Sequence, residues 1–329
     1  MVVAAATIVG LLIFEIGARL LLGPPAVHFL TPGRRERHAD FDVTYGVDRR
    51  GRRWTCPPPD APRRTVAIIG DSFAFGQGVS DRDHFVARLS CRMSGTEVLS
   101  LGSVGQDFLY YELALHSLVP SDADDIVLLL FENDVPPGDW EHASWKLLRT
   151  LYRVSHAVQV LRRAKRALEV PLHREGLAAF LVDGWANNVK AVALTDAAYF
   201  EDLVRPPPDR LDLFDRAVRR FVGDAREIAP RARLFLAMAP EASTLSYQHR
   251  EFYRSLADVP LPPPGQPSIL YRRAQAVCAA AAHCSFIDLY PVLSRDGESL
   301  YFPHDFHWNA SGHARVADAV SAALATVAR

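Results

Sequence analysis

The stretch TVAIIGDSFAFGQGV, residues 65–79, decides how the chain is read. Val66, Ala67, Ile68 and Ile69 form a short apolar run that Gly70 ends. A run of this kind bounded by glycine is the sequence signature of a central parallel strand, covered on both faces. Asp71 and Ser72 follow at once, then a loop rich in aromatics and glycine (Phe73, Phe75, Gly76, Gly78). In an open parallel sheet, ligands bind beyond the carboxyl ends of the strands, so Ser72 stands where such a fold keeps its chemistry. Asp71 and Ser72 are also good N-caps, and this stretch alone does not separate capping from catalysis.

Three further polar clusters end predicted strands: Gly102-Ser103-Val104-Gly105, Asn133-Asp134 and Asp305-Phe306-His307. With Gly70-Asp71-Ser72 as first block, Gly105 as second, Asn133 as third and Asp305 with His307 as last, the chain resembles the SGNH, or GDSL-type, hydrolases. The run DSFAFGQGVSDRDHFVARL, residues 71–89, is similar to the bacterial branch of that family. The resemblance covers residues 63–135 and 285–329 and leaves the middle of the chain uncovered. Two blocks depart from it. Phe131-Glu132-Asn133-Asp134 lacks the glycine of the family's G-x-N-D, and Asp305 and His307 are two apart instead of three. The form Asp305-Phe306-His307-Trp308-Asn309 resembles a variant in membrane-linked relatives, some of them polysaccharide O-acetyltransferases.

These residue types suit acyl transfer. Ser72 is the candidate nucleophile, His307 the base that takes its proton, and Asp305 the group that orients the imidazole and stabilises its cation. The Ser72 N–H, the Gly105 N–H and the Asn133 amide are candidate donors to the oxyanion. No cofactor is called for. The α/β-hydrolase elbow G-x-S-x-G is disfavoured, because Ala74 stands where its last glycine belongs. Singly, each block has a plainer reading. Asn133-Asp134 is an ordinary turn pair, Gly102 and Gly105 end a strand as glycines often do, and Trp308 packs. His304, Asp305, His307 and His313 form a histidine-rich cluster, but with no zinc spacing and no cysteine among them.

Strands are expected over Val66–Ile69, Glu97–Ser100, Ile126–Phe131, Ala232–Ala239 and Phe286–Leu289, alternating with helices. That rhythm predicts a three-layer α/β/α fold with a flavodoxin-like parallel sheet of order 2-1-3-4-5, the SGNH hydrolase fold. The rhythm fails over residues 136–208. There Trp140, Trp145, Leu148, Tyr152 and Leu161, interleaved with arginines, suggest an amphipathic helix. We read this insertion as a cap over the active-site face, with a membrane-surface helix or a plain structural insertion as alternatives. Helices resume over 209–229 and 247–258, and a terminal one spans roughly 312–327, capped by Asn309 or Ser311.

The remainder bounds the setting. Residues 2–22 are apolar apart from Glu15 and Arg19, long enough for a membrane anchor, with a signal segment or a buried helix as alternatives. The expected division is therefore an anchor over 1–23, a Pro/Arg-rich linker or extension over 24–62 and a hydrolase domain over 63–329. Arg34, Arg35 and Arg37 follow the apolar run and favour a cytoplasmic domain by the positive-inside rule. Resemblance to envelope relatives favours an extracytoplasmic one, which is the placement expected here. A formal net charge of −1 gives no field for nucleic acid. Three of the 37 basic residues are lysines, a compositional bias rather than a function. Cys278 and Cys284 flank a helix end and suit either a disulfide or buried thiols, and none of the four cysteines has metal spacing.

The resemblance implies an esterase acting on small acyl groups, acetyl above all, of an acylated carbohydrate. The same residues would serve an O-acyltransferase. A catalytically silent carbohydrate-binding or assembly protein is the reading from another class.

Overall fold

The computed structural model describes residues 10, 12–17, 33, 35–48, 51–136, 155, 197–256, 258 and 260–326. Two short strands come first, β1 (Arg35–Arg37) and β2 (Asp42–Thr44), paired antiparallel. Five more follow: β3 (Arg64–Gly70), β4 (Thr96–Gly102), β5 (Asp125–Leu130), β6 (Arg233–Met238) and β7 (Cys284–Ile287). They form one parallel sheet in the order β4-β3-β5-β6-β7. Counted within the domain this is 2-1-3-4-5, the expected order.

The strands read as continuous apolar runs because both faces are covered. Side chains alternate between the faces with period two. Ala67, Ile69, Ile126, Leu128 and Leu236 join one core with helices Phe108–Leu118, Pro208–Ile228 and Ile269–Ala279. Val66, Ile68, Val127, Leu129 and Phe235 join the other, with helices Phe85–Arg92 and Ala310–Ala325. The fold is a three-layer α/β/α sandwich. Asn309 caps the last helix, its Oδ1 accepting from the N–H groups of Ser311 and Gly312. The last strand lies two residues before its expected place. Ile287 still pairs with Ala237, but the Asp288 carboxylate accepts from the Tyr271 hydroxyl at 2.7 Å and Leu289 turns into the helical region.

Part of the proline- and arginine-rich stretch before the sheet is tied to it. Its β1–β2 hairpin packs on the domain, and a Cys56–Cys91 disulfide ties residues beyond the hairpin to helix Phe85–Arg92. A second disulfide, Cys278–Cys284, joins the end of helix Ile269–Ala279 to β7.

The expectation of a membrane anchor over residues 2–22, and of a membrane location built on it, is corrected. Among the described residues no helix is long and apolar enough to cross a membrane. The charged Glu15 interrupts the run, and its carboxylate accepts a hydrogen bond from the Ser155 hydroxyl at 2.8 Å. Most of 2–22 lies outside the described residues. So do the amphipathic helix expected from Trp140 to Leu161 and most of the expected cap. From the end of that insertion the structure describes helix Ala197–Val204.

Candidate active site

The parallel sheet places the first three blocks side by side. Ser72 follows β3, Gly105 follows β4 and Asn133 follows β5, and these three strands are neighbours with β3 in the middle. Chain direction is common to all three, so all three blocks leave the sheet at the same edge. The fourth block reaches that edge from a tight loop before the last helix. Tyr301 bridges Trp308, the Phe302 N–H donates to the His307 carbonyl at 3.0 Å, and Asp305 and His307 lie between.

Asp71 caps the turn that carries Ser72. Asp71 is the N-cap of the single turn Ser72–Phe75, its Oδ1 accepting from the Phe73 N–H at 2.9 Å. Ser72 is thereby fixed at the first helical position, where a backbone N–H has no intrahelical partner. Gly102 is required opposite this turn. A Cβ there would collide with the Phe75 nitrogen and the Ala74 carbonyl carbon. Gly105 has φ of +65°, a left-handed conformation that glycine adopts without strain.

The structure brings Ser72, His307 and Asp305 into one line. His307 Nε2 lies 2.7 Å from Ser72 Oγ, and His307 Nδ1 lies 2.5 Å from Asp305 Oδ1. The same carboxylate oxygen accepts the His307 backbone N–H at 2.8 Å. That double acceptance explains how a two-residue spacing suffices: the aspartate closes a local turn onto its own histidine. With Nδ1 donating to Asp305, the lone pair of a neutral ring lies on Nε2, toward the serine. All three side chains are buried, Ser72 at 6% exposure, His307 at 3% and Asp305 at 0%.

Burial and charge compete here. Burial pushes the His307 imidazole down, but the charge and hydrogen bond of Asp305, with the charges of Asp71 and Glu36, outweigh it and hold it above its ordinary value. Burial pushes Asp305 up, yet the charge and hydrogen bonds of His307, with His38 beyond, hold its carboxyl below the usual carboxylate range. For Asp71 burial outweighs the opposing contacts, the charge of His307 among them. Burial pushes its carboxyl up to about 6, against the hydrogen bond from Phe73.

The sequence assigns no role to several residues that pack at this edge. Phe73 and Phe306 wall the histidine, with ring centroids 4.9 and 4.5 Å from that of His307, and Phe131 packs against both phenylalanines. Tyr111 donates to Asp134 Oδ1 at 2.7 Å, and Asp134 Oδ2 accepts from the Phe131 N–H, bracing the turn that carries Asn133. Glu36 of the hairpin accepts from the Gln77 amide and the Tyr45 hydroxyl, each at 2.7 Å, and the Gly78 N–H donates to that hydroxyl. His304 and His313 turn away from this line. The His304 Nδ1 meets Asp40, and the His313 Nδ1 takes the Phe85 N–H. Among the described residues no group of three His, Cys, Asp or Glu side chains is arranged to hold a metal ion.

Strand order and the convergence of all four blocks on one edge decide the fold assignment. The chain has the SGNH hydrolase fold. No protein-family model and no curated protein matches its sequence. Solved structures similar to it include a lipase/acylhydrolase from Enterococcus faecalis, at 12% identity and TM-score 0.43, covering 79% of this chain and 95% of that one. A member of the lipolytic G-D-S-L family from Veillonella parvula is 12% identical at TM-score 0.40, covering 80% and 100%. A carbohydrate esterase family 2 enzyme with a carbohydrate-binding domain, from Corynascus thermopiles, is 15% identical at TM-score 0.41, covering 82% and 68%.

Proposed function

We propose that the chain is a serine esterase of SGNH type that hydrolyses small acyl esters through an acyl-enzyme on Ser72. The observation that supports this reading is the continuous contact from Ser72 Oγ through His307 to Asp305. Serine is a weak nucleophile until a base removes its proton during attack, and a neutral imidazole at hydrogen-bond distance is suited to do so.

The steps follow from that geometry. Ser72 Oγ attacks the ester carbonyl carbon while its proton passes to His307 Nε2. The carbonyl oxygen becomes an oxyanion and accepts from the Ser72 N–H, the Gly105 N–H and the Asn133 amide. Collapse breaks the bond to the alcohol, which leaves with the proton from His307. Water then gives a proton to His307 and attacks the acyl carbon. A second collapse frees the carboxylic acid and returns the proton to Ser72. Asp305 stays ionised throughout and stabilises the imidazolium.

The burial of Ser72 and the packing of Phe73 and Phe306 on its partner His307 favour a small acyl group, acetyl above all. An acetylated carbohydrate as its carrier rests on the family resemblance. The test is hydrolysis of 4-nitrophenyl acetate by the full chain, with Ser72→Ala and His307→Ala each losing most of the rate. Full activity in either variant contradicts the reading. Adding an oligosaccharide and asking whether acetyl ends on it or as free acetate separates transfer from hydrolysis.

A further inference from the structure

The β1–β2 hairpin brings a second histidine to the far side of Asp305. The His38 side chain is 3% exposed, and its Nε2 has no hydrogen-bond partner among the described residues. A buried polar atom without a partner is costly and calls for an explanation. Its nearest acid is Asp305, whose Oδ2 lies 3.8 Å away, while Oδ1 of the same carboxylate serves His307.

The ring is held to face that way. Its Nδ1 accepts the Asp40 backbone N–H at 3.3 Å, which in a neutral imidazole leaves the proton on Nε2. One face stacks on Phe41, with centroids 4.8 Å apart and planes 17° from parallel. The Asp40 carboxylate, 3.9 Å from Nδ1, is the other acid beside the ring. The hairpin is clamped to the loop that carries Asp305. Asp40 accepts the His304 N–H at 2.7 Å and meets His304 Nδ1 at 2.8 Å, and Phe41 packs against Phe302.

We propose that His38 is a positioning residue of the active site: its Nε2–H is aimed at Asp305 Oδ2 and fixes the carboxylate that orients His307. The inference rests on reading Ser72, His307 and Asp305 as the reacting set. At 3.8 Å the contact is longer than a hydrogen bond, as catalytic contacts often are before substrate tightens them. The residue belongs to the segment before the sheet, so that segment becomes part of the catalytic apparatus rather than a tether.

The experiment measures how fast Ser72 of the full chain is phosphonylated by a 4-nitrophenyl phosphonate, read as released nitrophenolate. Two variants separate donation from packing. His38→Gln keeps an N–H donor near the Nε2 position and loses the stacked ring. His38→Phe keeps the ring on Phe41 and loses the donor. The proposal expects His38→Phe to be slowed roughly ten- to hundredfold, the worth of one hydrogen bond to a charged group, and His38→Gln to stay within about threefold of the parent. A packing role predicts the reverse order. His38→Phe reacting as fast as the parent, or faster than His38→Gln, overturns the proposal. Near-UV circular dichroism checks that each variant keeps its native packing, and His38→Leu replaces His38→Phe if needed, with the same loss expected. The two possible failures are distinct. Label that persists in Ser72→Ala removes the esterase reading and this inference with it, whereas Ser72-dependent labelling indifferent to residue 38 removes the inference alone.

Discussion

Ser72 Oγ and His307 Nε2 stand 2.7 Å apart although 235 positions separate them in the chain. Parallel β3 delivers one and the tight loop before the last helix delivers the other, so the pair depends on the whole sandwich closing. Asp305 completes the line by holding Nδ1. Asp305→Asn keeps the shape but presents an amide where an acceptor is needed, which favours the wrong tautomer of His307. A loss of about 10³–10⁴-fold in kcat is expected, with little change in KM. Steady-state kinetics on 4-nitrophenyl acetate check it.

The pH profile should carry the sign of the His307 shift. His307 must be neutral to accept the serine proton, and its pKa lies above the ordinary imidazole value of 6.5. Activity therefore falls as pH drops, and the acidic limb of kcat/KM has its midpoint above about 6.5. Asp305→Asn removes the charge that raises it, and should move that limb to lower pH in whatever activity survives.

Asn133 is exposed in the turn after β5, and the proposed mechanism uses its amide as a neutral donor to the oxyanion. Asn133→Ala is expected to cost about 10²–10³-fold in kcat, the usual worth of one oxyanion donor. KM should hold, because the donor acts on the tetrahedral species rather than on bound ester. A parallel loss in binding would show that the side chain holds substrate instead.

Glu132, the residue before Asn133, is buried with both carboxylate oxygens lacking a well-formed hydrogen bond. Burial, with the charge of Glu241 adding to it, pushes its carboxyl up to about 8, against Ser268 and Arg272. Below about pH 4.5 the group is protonated in both folded and unfolded chains, and folding carries no cost from it. As pH rises toward 8 the unfolded chain releases the proton and the folded chain keeps it, so stability falls across that window. Glu132→Gln should remove this loss and stabilise the protein at pH 7 by on the order of 1–3 kcal/mol. Denaturant melts of parent and variant at pH 5 and pH 8 check it: the gap should widen with pH.

The sheet was legible in the sequence because its strands are covered on both faces and so appear as unbroken apolar runs, as at Val66–Ile69. The four polar blocks were legible because each follows such a run or fits a known spacing. The hairpin was not. Arg35–Arg37 and Asp42–Thr44 are three-residue strands of mostly polar side chains, held by an Arg35–Asp42 ion pair with Nε to Oδ1 at 2.6 Å, and they show no apolar period. Set among prolines and arginines, they read as a linker or extension without secondary structure of its own. Nor does any spacing rule connect Cys56 with Cys91, 35 residues apart, since their pairing is made by the docking of the extension. The apolar run at 2–22 failed in the other direction. Hydropathy alone suggested a membrane span, and no described helix provides one.

The most direct measurement is the site of covalent labelling. The full chain treated with a serine-reactive phosphonate, digested and read by mass spectrometry should carry one adduct, on the peptide that contains Ser72, and none after Ser72→Ala. An adduct on a different serine, or an unlabelled chain, would contradict the account.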